Sequence, residues 1–292
     1  MLSTWLRAIR IRFLLASVIA VSNGLAIAYW KYSTVDLFYA VLTYIGVVFL
    51  HASVDLLNDY WDYKRGIDMA TRRTKFSGGT GVLPENLLTP RTVYTAGIIF
   101  LILGGSIGAY FVAIRGLAIA VILGFAVVTI YFYSTQIVNA GLGELFVAIK
   151  GAMIVLGSLY VQNAMIEPAA LYDGAIVGIL SATVLFINSF PDYEADKSKG
   201  RRTLVIILGR KTGSIMFPVF IIAVYALIIG GIFLGFTKFY SLLTFASVPI
   251  ALKSVILLRK QPQAVDKMVP AMASAVTYSR LTGFLLALSF IL

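Results

Sequence analysis

Two stretches of this 292-residue chain gather carboxylates and asparagines at helical spacing. The first reads Asp55-Leu-Leu-Asn58-Asp59-Tyr60-Trp61-Asp62-Tyr63-Lys64-Arg65-Gly66-Ile67-Asp68. On a helix Asn58, Asp59 and Asp62 share a face, because side chains three and four positions apart are neighbours. Asp55 extends that face one turn deeper. The second stretch repeats the spacing through Asn188, Asp192 and Asp196, and Lys197, Lys199, Arg201 and Arg202 follow at once. Hard cations such as Mg²⁺ take oxygen ligands, commonly a few carboxylates plus substrate phosphates. Two such helix ends facing each other would hold Mg²⁺ between them, with Mn²⁺ as the alternative, and a diphosphate would bridge the metals. Arg72, Arg73, Lys75, Lys197 and Arg202 would neutralise its outer oxygens. That arrangement stabilises the charge on a departing diphosphate. Carbon–oxygen cleavage then leaves an allylic cation, which suits a pocket lined with Tyr, Phe and Trp.

The elements that must carry these residues are apolar. Sixty per cent of the residues are hydrophobic and only 13% are charged, whereas soluble domains run near ~25% charged. Nine segments are long enough for a bilayer, which needs ~20 apolar residues per helix: about 13–31, 36–57, 92–112, 116–135, 142–163, 170–190, 214–235, 238–258 and 274–292. The expectation is an all-α, polytopic membrane protein with nine transmembrane helices around a central cavity, a single intramembrane domain over 1–292. Connections 58–91 and 191–213 are long and polar, and each carries one acidic cluster. A carboxylate in hydrocarbon costs ~2.5–3.5 kcal/mol on insertion scales, so it is rarely there without a role.

With the N-terminus in the cytoplasm, 18 of the 24 Lys and Arg fall in inside segments and three in outside loops. That bias orients a multi-pass protein of the cell membrane, with both acidic clusters and the mouth of the cavity on the cytoplasmic side. It also explains the net charge of +11 with no nucleic-acid partner. Cysteine is absent, which excludes disulfides and thiolate metal sites. The first helix lacks the small-residue end of a cleavable leader and is expected to stay in the bilayer.

The motifs resemble those of the UbiA superfamily of intramembrane prenyltransferases, which have nine transmembrane helices and Asp-rich motifs after helices two and six. The first family motif is N-D-x-x-D-x-x-x-D. Asn58, Asp59 and Asp62 match it, Gly66 stands at its last Asp position, and Asp68 follows two residues later. The second motif, D-x-x-x-D, is matched by Asp192 and Asp196. The run from Asn58 to Asp68, the run from Asp192 through Arg202-Thr203-Leu204, and Gly141-Leu142-Gly143-Glu144 are similar to the menaquinone branch, the 1,4-dihydroxy-2-naphthoate prenyltransferases. Pro191 stands where that branch often has Arg, and 78–83 where members carry a variable acceptor-side loop. The resemblance implies Mg²⁺-dependent transfer of a polyprenyl group from its diphosphate to an aromatic acceptor, here 1,4-dihydroxy-2-naphthoate. Attack by a ring carbon would be followed by loss of CO₂. Related members take 4-hydroxybenzoate or geranylgeranylglyceryl phosphate (archaeal ether-lipid synthesis), and the basic loops leave room for a phosphate-bearing acceptor. A cation transporter would also use acidic ligands, but near the bilayer midplane and in repeated halves.

Asn58, Asp62, Asp192 and Asp196 are the expected metal ligands, directly or through water, with Asp59 and Asp68 next. Asp59 serves equally as a ligand or as a cap on a backbone group. Asn188 serves as a ligand or as a hydrogen bonder between helices. Asp62, Asp192 and Asp196 would thereby carry the catalytic step. Tyr131 and Tyr133 end the fourth helix. The resemblance implies a Tyr there beside the reacting carbon, with Tyr131 the expected one, although aromatic residues also populate membrane interfaces. Lys150 lies a turn or two inside the fifth helix and is expected to contact diphosphate or acceptor unless it snorkels. For Arg72 and Lys75 the resemblance implies a diphosphate contact, with membrane anchoring as the alternative. Lys197 and Arg202 have the stronger case because they flank the acidic motif. His51 is the sole histidine and is expected to be a packed, hydrogen-bonded imidazole. Arg280 is expected to face outward, and Gly104, Gly105 and Gly108 to form a helix-packing face.

Overall fold

The computed structural model describes residues 1–292 and contains nine helices long and apolar enough to cross a membrane. A short α1 (Leu2–Ala8) precedes the first span, α2 (Ile11–Tyr32). Then come α3 (Leu37–Lys64), a single turn α4 (Ile67–Ala70), α5 (Pro90–Arg115) and α6 (Leu117–Phe132). A π-turn over Tyr133–Ile137 ends α6. Next are α7 (Gly143–Asn163), α8 (Pro168–Asn188), the short α9 (Tyr193–Ser198) and α10 (Leu204–Leu208), and α11 (Arg210–Leu234). A 3₁₀ stretch, Phe239–Ser247, runs into α12 (Val248–Lys260), and α13 (Val265–Ile291) is last.

Local chemistry sets the ends. Asp36 caps α3 by accepting from the Tyr39 N–H at 3.0 Å, and Thr89 caps α5 from Thr92 at 3.2 Å with Pro90 in the first turn. The second span outruns the expected 36–57, because Asn58 bonds Asp62 along the helix and only Gly66, in the left-handed region, stops it. The ninth begins near 265 rather than 274. Its first turns are low in hydropathy but bury Met268, Ala271, Met272 and Ala275 on one face. The eighth opens as 3₁₀ because Ser241, Thr244 and Ser247 recur every third residue, and each donates to a carbonyl three back.

Each span packs against the next, and α13 returns to α2, closing a ring. The helices α2, α8 and α13 are the inner ones, whereas α5 and α6 present most of their surface outward. The main core joins α2, α8, α11 and α13 around Phe186, Phe190, Phe217 and Tyr278, all fully buried. Of the expected packing glycines, Gly104 meets α3 and Gly108 meets α6, while Gly105 faces open space. A closer helix approach lies between α7 and α8. There a Cβ on Gly178 would collide with the Ala148 carbonyl, and one on Gly151 would come within 2.8 Å of Gly178 Cα. Gly178→Val is therefore expected to push α7 from α8 at a cost of ~1–3 kcal/mol, the usual range for overpacking. The measurement is the thermal midpoint of the detergent-solubilised protein, with Gly105→Ala as a control that leaves it in place.

Candidate active site

The last turns of α3 carry the first acidic motif, and the end of α8 with α9 carries the second. The ring brings them together at one end of a cavity lined by Asn58, Asp62, Asn188, Asp192 and Asp196. Asn58 donates to Asp62 at 3.1 Å. The other Asp62 oxygen accepts from Ser134 at 2.5 Å and from Arg201. Arg201 also donates to Asp196 at 3.1 Å and to Ser134 at 2.8 Å. One guanidinium thus bridges the two motifs.

The connection after α4 forms a roof. Gly78 N–H donates to Asp192 at 3.1 Å. Gly79 lies directly on Asp68: a Cβ there would sit 2.6 Å from its carboxylate, and the backbone has φ of +71°, so only glycine fits. The roof is strapped down from the N-terminus. Arg7 donates to the Thr80 carbonyl at 2.6 Å and to both oxygens of Glu85 at 2.8 and 2.6 Å. Arg73 also pairs with Glu85.

Asp59 does not line the cavity. Arg10 bonds it at 2.6 Å and Thr80 bonds its second oxygen. That second oxygen also accepts from the Thr80 backbone N–H at 3.3 Å. Asp68 is buried beneath the roof and is not among the side chains lining the cavity. Asn188 and Lys150 both line it.

The basic residues divide differently from expectation. Arg72 pairs with Asp266 at 2.8 Å on the surface. Lys75 is exposed, in an adjoining groove with Arg7 and Arg73. Lys197 lies over the Tyr193 ring at 5.5 Å. Arg202 is exposed, and its N–H donates to the Val138 carbonyl at 3.3 Å. None of these four lines the cavity, whereas Arg201 and Arg10 do. Gly200, with φ of +79°, reverses the chain after α9 and turns Arg201 inward and Arg202 outward. That glycine just past a helix end was the available signal. For Arg10 there was none beyond its place before a span. Tyr131 also gives way to its neighbour. It faces Tyr94 on α5, while Tyr133, the first residue of the π-turn, lines the cavity. Arg280 does not point outward: it lines the cavity and donates to the Arg12 carbonyl at 2.6 Å.

The donor set fits a hard divalent cation. Buried oxygens of Asn188 and Asp192 have no hydrogen-bond partner in the chain, and such groups are costly unless something meets them. No three acidic side chains cluster tightly enough to chelate one ion alone. An ion there would draw on one or two carboxylates plus phosphate oxygens, as Mg²⁺ habitually does. Phe13, Val47, Leu50, Phe125, Phe146 and Val147 supply apolar wall, interrupted by His51, Asp55 and Lys150.

Burial pushes the Asp192 carboxyl up to about 7, helped by the negative charge of Asp196. Burial also raises Asp68 to about 8, with Asp59 and Asp62 adding to it, and raises Asp196. A cation binds the ionised carboxylates, so protonation competes with it. Mg²⁺ affinity is therefore expected to fall as pH drops from about 8 to about 6, with protons released on binding, well above the usual carboxylate range near ~4. Calorimetric titrations in buffers of different ionisation enthalpy measure that release. Binding that is flat over this range would contradict the burial argument.

The sequence pattern of the UbiA prenyltransferase family matches residues 16–291. The 1,4-dihydroxy-2-naphthoate octaprenyltransferase of Bacillus subtilis (strain 168) is 26% identical over 285 residues, 96% of this chain and 89% of that protein. The enzyme of the same name from Escherichia coli (strain K12) is 29% identical over 215 residues, 70% of this chain and 68% of its own length. Among solved structures, a UbiA homolog from Archaeoglobus fulgidus bound to GPP and Mg²⁺ superposes with a TM-score of 0.66 at 15% identity, over 99% of both chains.

Proposed function

The chain belongs to the UbiA prenyltransferase family, and from that premise we propose that it transfers a polyprenyl group from a prenyl diphosphate to 1,4-dihydroxy-2-naphthoate, as one intramembrane domain over 1–292. The observation that carries this reading is the meeting of Asn58, Asp62, Asn188, Asp192 and Asp196 at one end of a cavity with otherwise largely apolar walls. The acceptor is supported by the naphthoate prenyltransferases among its relatives.

Asp62, Asp192 and Asp196 would share the ligand role, one or two of them to an ion, with Asn58 and Asn188 and the phosphate oxygens filling out the oxygen set. Mg²⁺ held there, or Mn²⁺ in its place, supplies the positive charge that steadies a leaving diphosphate. Arg201 and Arg10, on the same wall, neutralise what remains of that charge. Lys75, Lys197 and Arg202 stand exposed around the mouth and draw the anionic headgroup toward it. Tyr133, Phe125 and Phe146 offer ring faces to an allylic cation, and the aliphatic wall keeps water from quenching it. Attack by an electron-rich ring carbon needs no strong base, in keeping with a single histidine in the chain. The mouth opens to the cytoplasm by the distribution of Lys and Arg.

The test is transfer in liposomes from labelled geranylgeranyl diphosphate with Mg²⁺, offering dihydroxynaphthoate, 4-hydroxybenzoate and geranylgeranylglyceryl phosphate side by side. Transfer to dihydroxynaphthoate is expected. Asp62→Ala is expected to reduce it by roughly 100-fold or more, the scale on which losing one group that stabilises developing charge acts. Transfer to the ether phosphate alone would overturn the acceptor. No transfer and no diphosphate release from folded protein would overturn the enzyme.

A further inference from the structure

Away from the cavity, a separate groove opens where α11 begins and α12 ends. Both helix ends lie on the membrane face that carries the acidic motifs, because successive spans alternate in direction. Lys211 of α11, Arg259 of α12, and Gln261 and Gln263 of the connection to α13 line the groove, and no carboxylate does. Arg259 donates to the Ile215 carbonyl at 3.4 Å, so its guanidinium spans the gap between the two helices. Lys211, Arg259 and the neighbouring Lys260 take part in none of the chain's salt bridges. Asp266, the next acid along the chain, is already engaged by Arg72 at 2.8 Å. Lys253 is a further exposed cation of α12 with no salt bridge. It lies two turns before Lys260, about 10 Å along the axis. A lysine at that depth in a span is rare and either finds a partner or stretches to the interface. On the hydrocarbon side of these cations, Ile215, Val219 and Ile222 of α11 form one exposed stripe, and Leu252 and Ile256 of α12 form another.

We propose that this groove seats the phosphate of an anionic membrane phospholipid, whose acyl chains run along the two apolar stripes. The site is distinct from the acidic cavity and stands independently of the transferase reading. Basic pockets between spans at a membrane surface attract anionic headgroups. A guanidinium holds a phosphate through two parallel N–H bonds, and an ammonium adds a point charge. The side-chain amides of Gln261 and Gln263 supply neutral donors for the remaining headgroup oxygens. A zwitterionic headgroup brings its own cation, and the groove has no carboxylate to meet it. Free phosphate would satisfy the cations but would leave the apolar stripes no part in binding.

The experiment is native mass spectrometry of the full-length protein released from detergent micelles, which counts the lipids that stay bound. The probes are dioleoyl phosphatidylglycerol, dioleoyl phosphatidylcholine and inorganic phosphate. Phosphatidylglycerol is expected to be retained about tenfold more tightly than phosphatidylcholine, and an equal concentration of inorganic phosphate is expected not to displace it. Replacing both cations, Lys211→Gln with Arg259→Gln, is expected to weaken retention about tenfold or more, the scale of one lost charge-assisted hydrogen bond. Arg91→Gln removes another exposed cation on the same membrane face, outside the groove, and is expected to leave retention unchanged. Equal weakening by Arg91→Gln reduces the effect to diffuse surface charge and overturns the site. Equal retention of phosphatidylcholine overturns it as well. Displacement of the lipid by inorganic phosphate overturns the lipid as the occupant. Should the double variant fail to fold, judged by its thermal midpoint without lipid, Lys211→Gln and Arg259→Gln singly make the same comparison. No reading here depends on prenyl transfer, so the transferase and this site fail separately.

Discussion

Negative charge gathered inside an apolar protein is the constraint on which this molecule turns. Asp59, Asp62, Asp68 and Asp196 are all buried, and a buried charge is costly unless paired and hydrogen-bonded. The chain answers with guanidinium groups, which do not lose their charge. Arg201 joins Asp62 to Asp196, and Arg10 takes Asp59. Elements that look unrelated in sequence are placed by the same demand. The π-turn delivers Ser134 to Asp62, and the roof delivers Gly78 N–H to Asp192 and Thr80 to Asp59. Arg65 ties the end of α3 to the π-turn and to α9, through the Ser134 and Lys199 carbonyls at 2.8 and 2.9 Å.

Hydropathy made the spans legible, because a bilayer leaves few other uses for nine apolar runs. The acidic motifs were legible because their spacing survives only on a helix. What sequence could not supply was direction within short irregular segments. Lys197, Arg201 and Arg202 are equivalent as a basic run, and the turn at Gly200 decides among them. Tyr131 and Tyr133 are two apart, and the local helix type decides which enters the cavity. Asp59 and Asp62 sit on one helix end, yet an arginine from a distant segment claims the first. Each outcome depends on a contact 49 or more residues away, or on a turn, and neither leaves a periodic trace.

One helix organises the depth of the cavity. His51, Asp55, Asn58 and Asp62 follow one another down the same side of α3, at spacings of three and four. The rigid rise of a helix holds those groups at fixed separations. The groups at the mouth and those further in are kept in register by a single element, where loops would let them drift.

The N-terminal strap has an optical consequence. Trp5 in α1 packs against the cluster of Ala8, Leu56, Val82, Leu83 and Val93, which joins the helix of the first motif to the roof. Any rearrangement of the roof changes the polarity around that indole. The protein therefore carries its own fluorophore at the seam that closes the site. A signal from Trp5, isolated by replacing Trp30 and Trp61, reports the seating of the roof in real time without an added label.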